Sequence, residues 1–509
     1  MSHYSMPHVW PTVVHMLADA AQRAPDKVAL ICGDEQLTYQ QYEASVSTLA
    51  HELRQAGLGK GERVALVMGN SVDVAVAIFA VQAAGAQVVP LNPSYTRTEL
   101  SQVLQNAQAK GIVYDESVEE ALEPLLSGFD LRLRIGMRQG SKRLNRWREQ
   151  GACRLALPEP DWPSILQYTG GTTGQPKGVS LAHRAVAVNV SQREALLPTR
   201  VEQERVLAIT PLFHSYAMAM GLYLAVYCRS TLVIVARYRP DAVLSTIASQ
   251  RITLLLGSPT IFTGLMAYEG FAEADLSSLR LCSSGSSALP EETLRRWEVA
   301  TGCAVCEGYG QTEAGPVLTY NPLNGVRKIG TVGVPVPETE IQIVDVQDGQ
   351  SVLPVGEMGE IRARGPQLME GYFNKPEETA DALRDGWLYT GDIGKFDHDG
   401  YLTICDRKKE MAIVSGFNVY PREVEEALFC HPEVREAAVV GVPDAYRGEI
   451  LVAYVVANGT LNEEALQEFL SERLVKYKWP AKIHMVDTLP RTGVGKIDKK
   501  QLRAMSVSS

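Results

Sequence analysis

The chain has 509 residues, more than one hydrophobic core can organise, so at least two packed units are expected. Hydrophobic residues at 45% and charged residues at 21% exclude a disordered, collagen-like or heptad-built chain. Lys plus Arg number 49 against 59 Asp plus Glu, a net charge of −10 that opposes non-specific binding to nucleic acid or anionic lipid. Any phosphate must therefore meet a local site.

The opening MSHYSMPHVW has neither the basic nor the apolar region of a secretory signal, and the closing VSS carries no lipidation box. The apolar stretches Val74–Val81 and Ala217–Cys228 fall short of the ~20 residues that span a bilayer. Eight cysteines lie scattered without a disulfide-scaffold rhythm. These features predict a cytoplasmic protein with no transmembrane segment.

From residue 60 to 290, short β-branched or Leu-rich runs (RVALVM, QVVPL, GIVYD, TLVIV, TLLLGSP) alternate with helical patterns, which predicts layered α/β architecture. Thr96 and Glu99 form a capping-box pattern ahead of Leu100, Val103, Leu104 and Ala107. The basic stretch 131–149 reads as a solvated face or linker. Gly, Asp and Lys cluster over 385–410 and suggest a connection between domains. Beyond it, Pro421 opens a short helix, strands AAVVGV and ILVAYVVA follow, and Thr460 with Glu463 start a further helix. About a hundred residues of this α+β pattern suit one small domain.

Chemistry concentrates first at Tyr168-Thr169-Gly170-Gly171-Thr172-Thr173-Gly174-Gln175-Pro176-Lys177-Gly178, which follows the apolar Ile165-Leu166. Glycines let backbone N–H groups turn toward a phosphate, threonines add hydroxyl donors, and Lys177 adds a cation. The loop is not a Walker A motif, because Pro176 stands where that motif needs Gly and Gly178 where it needs Ser or Thr. Cys303-Ala-Val-Cys306 has C-x-x-C spacing, but no second pair accompanies it and its setting is apolar, which favours packing over redox or zinc chemistry.

YTGGTTGQPKGV resembles the phosphate loop of the adenylate-forming superfamily of acyl-CoA synthetases, luciferases and peptide-synthetase adenylation domains, with Gly170 where the usual pattern has Ser. Further motifs recur in the family's order: PLFHSYA (211–217), GSPT (257–260), SSGSSALP (283–290), EGYGQTEAGP (307–316), YTGD (389–392), DRKKE (406–410), SGFNVYPREVE (415–425) and PRTGVGKID (490–498). LNPSYTRTEL, DRKKEMAIVSGFNVYPREVE and GVPDAYRGE are most similar to fatty acyl-CoA synthetases. The resemblance implies an α/β fold: a large layered α/β N-terminal domain over residues 1–405, a hinge at 406–409, and a small mobile α+β C-terminal domain over 410–509. It implies an ATP- and Mg2+-dependent acid:CoA ligase that forms an acyl-adenylate and then a thioester, with a medium- or long-chain fatty acid as substrate. TEAGPVLT also resembles aryl-acid CoA ligases of the coumarate or benzoate type. An acyl-AMP ligase loading a carrier protein, and a non-catalytic ATP-binding sensor, are the other readings.

By the same resemblance, Thr169, Gly170, Gly171, Thr172, Thr173, Gly174 and Lys177 of the phosphate loop bind ATP or AMP together with Gly308, Gly310 and the phosphate contact Thr312. Tyr309 stacks on adenine, Asp392 and Arg407 hold the ribose, and Glu313 is the Mg2+ ligand, in keeping with a hard cation's preference for oxygen. Lys496 is the catalytic lysine that offsets charge between carboxylate and α-phosphate. His214, a catalytic-site residue, lines the acyl pocket with Tyr216, Ala217, Gly221, Ser284, Gly285, Gly310 and Pro316. Gly416 and Phe417 form the coenzyme A tunnel, and Lys409 is the hinge residue. An amino-acid substrate is disfavoured, since PLFHSYA offers no buried carboxylate for its ammonium. The expected partners are a small carboxylic acid and coenzyme A, with no nucleic acid; a homodimer stays open.

Overall fold

The computed structural model describes residues 4–137, 153–169, 176–287, 289–415, 417–444, 446–459, 461–492 and 496–507. Two large sheets organise the first four-fifths of the chain. One has the strand order Gly371–Tyr372, Lys177–Ala182, Pro163–Thr169, Gln87–Leu91, Arg63–Val67, Gly111–Asp115, Leu133–Met137. The other runs Val334–Pro335, Thr319–Tyr320, Val305–Tyr309, Leu281–Ser284, Leu254–Gly257, Arg205–Ala208, Thr231–Ile234, Val28–Cys32, Glu35–Thr38. Their central pairs are parallel, which explains why the strands read as unbroken apolar runs rather than alternating ones.

Helices Tyr39–Gln55, Val72–Ala83 and His183–Leu196 contribute to the main core that joins residues of both sheets. Every residue of Val72–Ala83 except Asp73 is buried, so this helix is apolar all round, as a helix enclosed by protein must be. The capping box forms as the sequence predicts: Glu99 N donates to Thr96 Oγ1 at 3.3 Å and Thr96 N to Glu99 Oε2 at 2.7 Å. Of the basic stretch, Leu133–Met137 is an outer strand, and residues 138–149 lie outside the described residues.

The Gly-, Asp- and Lys-rich segment 385–410 is mostly strand rather than linker. Trp387–Phe396 and Leu402–Arg407 pair antiparallel in a third sheet with Gly359–Arg364 and Glu340–Val344. Its glycines serve turns and close contacts: Gly400 has φ 82°, and a Cβ on Gly394 would lie 2.7 Å from the Thr403 carbonyl oxygen.

The small C-terminal unit is a sheet of Phe417–Val419, Ala412–Val414, Gly448–Ala457, Val434–Asp444 and Lys482–Met485. Helices Pro421–Phe429 and Glu463–Ser471 cover one face through Val424, Leu428, Leu466 and Leu470. Asn462 caps the latter helix, accepting from Ala465 N at 3.0 Å; Thr460, the expected starting residue, lies outside the described residues. The Arg422 backbone N–H, in the small unit, donates to Asp406 Oδ2 at 3.0 Å. Among the described residues no helix is long and apolar enough to cross a membrane.

Candidate functional site

Strand ends of the large unit converge on one cleft. Asp392 and Arg407 are register partners on adjacent antiparallel strands, so their side chains emerge together. Arg407 Nε meets Asp392 Oδ1 at 2.7 Å, and the hydroxyl of Tyr309, at the end of Val305–Tyr309, donates to Asp392 Oδ2 at 2.6 Å. Asp392 is buried, and desolvation raises its pKa against the opposing pull of Arg407, Tyr309 and Lys496.

After Tyr309 the chain folds tightly back on itself. A Cβ on Gly308 would stand 2.3 Å from the Tyr320 ring, and one on Gly310 2.0 Å from the Pro316 carbonyl oxygen. Both positions require glycine for backbone packing, whatever ligand they also meet. This turn aims Thr312 and Glu313 into the cleft from a short 3-10 segment, Thr312–Ala314. Thr312 Oγ1 lies 3.3 Å from Ser215 Oγ, and Glu313 Oε1 accepts from the Tyr372 hydroxyl at 2.9 Å. The Lys177 ammonium sits 5.0 Å above the Tyr372 ring, a favourable cation–π distance. Thr169 ends its strand opposite Lys177; Gly170, Gly171, Thr172, Thr173 and Gly174 lie outside the described residues.

His214 caps the short helix Ser215–Ala217, its Nδ1 accepting from Tyr216 N at 3.3 Å. Burial, reinforced by the nearby Lys496 charge, lowers its pKa to about 4, which leaves the imidazole neutral at physiological pH. Tyr216, Ala217 and Gly221 follow on one continuous helical segment, whose stretch Met218–Tyr223 is wound as a π-helix. The Tyr216 hydroxyl pairs with Ser283 Oγ at 2.8 Å, and its ring covers Gly285, where a Cβ would be only 3.2 Å away. Ser284 Oγ, beside them, is buried with no partner among the described residues.

Lys496 closes the cleft from the small unit. Thr492 N donates to the Lys496 carbonyl oxygen at 2.7 Å and Arg491 bridges to Ile497; Gly493, Val494 and Gly495 lie outside the described residues. Much of the residue's surface stays open, and its charge lies within electrostatic reach of Arg407, Asp392, Glu313 and His214. Desolvation first, then the Arg407 charge, lowers its pKa from 10.5, while Asp392 and Glu313 oppose the shift. Lys409 is also lowered, chiefly by desolvation, with Arg407 and Arg503 pulling in the same direction. Gly416 lies outside the described residues; Phe417 is half-exposed and stacks on Tyr477 with ring centroids 4.6 Å apart.

Three residues at this cleft carried no signal in the sequence. Tyr372 is one aromatic among turn residues, and only folding brings it to Glu313. Gln167, immediately before the phosphate loop, donates from Nε2 to the Phe213 carbonyl oxygen at 3.1 Å, linking that strand to the loop bearing His214. Glu307 is buried, accepts from Leu289 N at 2.9 Å, and has a pKa raised to about 7 by desolvation. Cys303 Sγ approaches Cys282 Sγ at 3.6 Å, so its near neighbour is across the sheet and not at the other end of the C-x-x-C spacing.

A buried carboxylate paired with an arginine, a carboxylate held by a phenol, and a desolvated lysine thus face one cleft between two units, an arrangement suited to a nucleotide and a second anion. The family model for AMP-binding enzymes matches residues 17–373, and that for the AMP-binding enzyme C-terminal domain matches 423–496. The chain belongs to the AMP-binding enzyme family. It is 36% identical to a long-chain-fatty-acid–CoA ligase of Bacillus subtilis over 98% of this chain and 96% of that one. It is also 36% identical to a feruloyl-CoA synthase of an Amycolatopsis species, over 95% and 96%. The solved structure of ATP-bound MatB from Rhodopseudomonas palustris superposes with a TM-score of 0.91 at 31% identity, covering 97% of this chain and 98% of that one. A fatty acyl CoA synthetase of Mycobacterium tuberculosis superposes with a TM-score of 0.77 at 29% identity, covering 98% and 99%.

Proposed function

We propose that the protein is an ATP-dependent, AMP-forming acid:CoA ligase acting on long-chain fatty acids in the cytoplasm. The reading is supported above all by the meeting of Lys496 with Asp392, Arg407 and Glu313 in one cleft, alongside near-full-length similarity to long-chain-fatty-acid–CoA ligases.

In this reading Asp392 accepts hydrogen bonds from the ribose hydroxyls, with Arg407 holding the carboxylate charged and in place. Thr169, Lys177, Thr312 and residues 170–174 receive the phosphates. Attack of a carboxylate on the α-phosphorus brings two anions together, so the barrier is electrostatic. Lys496 stands where its ammonium offsets charge on both. Its lowered pKa reflects a desolvated cation, which acts more strongly than a hydrated one. Neutral His214 leaves the acid's carboxylate as the anion that Lys496 meets.

Glu313 is the residue that would hold Mg2+. Among the described residues no cluster of three or more His, Cys, Asp or Glu could hold a metal unaided, and a single oriented carboxylate suits an ion that arrives largely coordinated by nucleotide phosphates. When bound, Mg2+ neutralises part of the polyphosphate charge. The small unit is proposed to turn about residues 406–409 after adenylation, withdrawing Lys496 and bringing Gly416 and Phe417 toward coenzyme A.

The test is incubation with ATP, Mg2+, coenzyme A and a panel of acids: even-chain fatty acids, cinnamates, benzoates and amino acids. AMP, pyrophosphate and an acyl-CoA should form most efficiently with C12 to C18 chains. ADP with acyl phosphate would overturn the adenylate mechanism, and preference for cinnamates would move the substrate to the aryl acids.

A further inference from the structure

Helix His183–Leu196 follows strand Lys177–Ala182 without a break and is buried on almost every side, polar residues included. Asn189 and Gln192 on this helix, and Gln367 far along the chain, are all 0% exposed. Burying three primary amides is costly unless each is bonded. All three are, and their bonds close a ring on one residue, Val317. Val317 N donates to Asn189 Oδ1 at 3.0 Å, and Asn189 Nδ2 donates to the Val317 carbonyl oxygen and to Gln192 Oε1, both at 2.9 Å. Gln192 Nε2 donates to Gln367 Oε1 at 3.1 Å, and Gln367 Nε2 returns to the Val317 carbonyl oxygen at 3.5 Å, the weakest of the set. The buried amides of Gln82 and Gln167, by contrast, each leave an oxygen without a partner among the described residues. A fully satisfied buried network rigidifies its surroundings and specifies one arrangement.

What the ring holds is the end of the turn that carries Glu313. Val317 follows that turn and precedes strand Thr319–Tyr320, and it belongs to no strand itself. Its buried N–H and C=O still need partners, and the Asn189 amide supplies both, as a neighbouring strand would. Gln367 meets the same turn from its other side. Its carbonyl oxygen leaves no room for a Cβ on Gly315, whose φ is 81°, and two residues on, Met369 N donates to the Glu313 carbonyl oxygen at 2.9 Å. The segment then runs beside the strand that begins at Lys177. Glu370 N donates to the Ser180 carbonyl oxygen at 2.9 Å, and Phe373 N to that of Gly178 at 2.7 Å. The two elements that fix Val317 are therefore one continuous with, and one bonded to, the strand that closes the phosphate loop.

Resting on the reading that Glu313 serves Mg2+ and nucleotide during adenylation, we propose that Asn189 and Gln367 are positioning residues: through Val317 they set where the Glu313 carboxylate stands relative to the phosphate loop. Neither touches substrate; each acts on the turn. The experiment takes the full-length wild type, Asn189→Ala, Gln367→Met and Glu313→Gln through three measurements. These are pyrophosphate exchange into ATP at saturating acid, thioester formation from preformed acyl-AMP and coenzyme A, and calorimetric ATP affinity with Mg2+ against EDTA. Asn189→Ala and Gln367→Met should slow exchange by about 10-fold or more and cut the Mg2+-dependent gain in ATP affinity by about 10-fold, as loss of orientation does. Thioester formation, which needs neither ATP nor Mg2+, should stay within about 3-fold of wild type. Asn189→Ser and Gln367→Asn are the milder changes if the first pair lowers Tm too far for assay. An unchanged Mg2+-dependent gain in the Asn189 and Gln367 variants, or equal loss of both half-reactions with the fold intact, would overturn the proposal. A wild type without that gain, or Glu313→Gln retaining it, would instead overturn the role read for Glu313. A wild type that exchanges no pyrophosphate with any acid would overturn the reading of function itself.

Discussion

The Tyr372 hydroxyl donates to Glu313 Oε1 at 2.9 Å and fixes the carboxylate in the cleft. This contact joins a short strand of the first sheet to a turn of the second. Tyr372→Phe removes the hydrogen bond while keeping the ring that Lys177 overlies. A carboxylate that has lost its orienting partner binds a metal about 10- to 100-fold more weakly. The Mg2+ concentration giving half-maximal pyrophosphate release should rise by that factor, with kcat at saturating Mg2+ within about 3-fold of wild type. An unchanged Mg2+ dependence would separate Tyr372 from the role proposed for Glu313.

Glu307 makes a stability prediction. Its carboxyl has a pKa raised from 4.5 to about 7, so the folded state prefers it protonated. Below pH 4.5 both folded and unfolded forms carry the proton and nothing is lost. As pH rises from 4.5 through the folded value, the unfolded form ionises while the buried carboxyl resists, and stability falls by on the order of 3 kcal/mol, levelling off above about pH 8. Glu307→Gln keeps an oxygen to accept from Leu289 N and cannot ionise. It should raise Tm at pH 8 and change it little at pH 5. A lower Tm at both pH values would mean that the charge is needed, through Arg422 on the small unit.

Much of the site was legible because sequence-local motifs carry their chemistry with them. Thr312, Glu313, Asp392 and Arg407 stand out in the motifs EGYGQTEAGP, YTGD and DRKKE, whereas their placement on a turn and on paired strands is visible only in the structure. The segment 385–410 reads as a connection because its glycines look like linker residues, whereas Trp387–Phe396 and Leu402–Arg407 are strands. Gly394 is there because Thr403 and Ile361 approach its backbone, and a single sequence gives no sign of that. Tyr372 and Gln167 escaped notice for the same reason: each acts on a partner 59 or 46 residues away, and neither residue type is diagnostic alone. The π winding of Met218–Tyr223 has no compositional mark.

Lys496 should matter to one half-reaction only. Lys496→Ala removes the ammonium that meets carboxylate and α-phosphate, so acyl-AMP formation should fall by ~10²-fold or more. Preformed acyl-AMP already contains the new bond, and its conversion to thioester by coenzyme A should persist. Supplying acyl-AMP and coenzyme A directly to the variant measures the second step alone. Equal loss of both steps, with the fold intact, would refute a division of labour between two orientations of the small unit.

The alkaline limb of adenylation gives an independent reading of the same lysine. Its pKa is lowered from 10.5 by desolvation and by Arg407, and held up by Asp392 and Glu313. An ammonium required for the reaction must disappear as pH rises through that lowered value, and the rate of pyrophosphate release at saturating ATP and acid should fall with it. Asp392→Asn removes an anion that favours the charged form, so the limb should move to lower pH. Arg407→Gln removes a cation that disfavours it, so the limb should move to higher pH. Both variants will also weaken ATP binding, which is why the comparison is made at saturation. Lys496→Arg keeps its charge throughout this range, so its slower reaction should show no such limb below pH 10. The opposite movements in the two variants are the decisive sign. A limb that stays in place in both, or survives in Lys496→Arg, would belong to another group and would remove Lys496 from the chemistry.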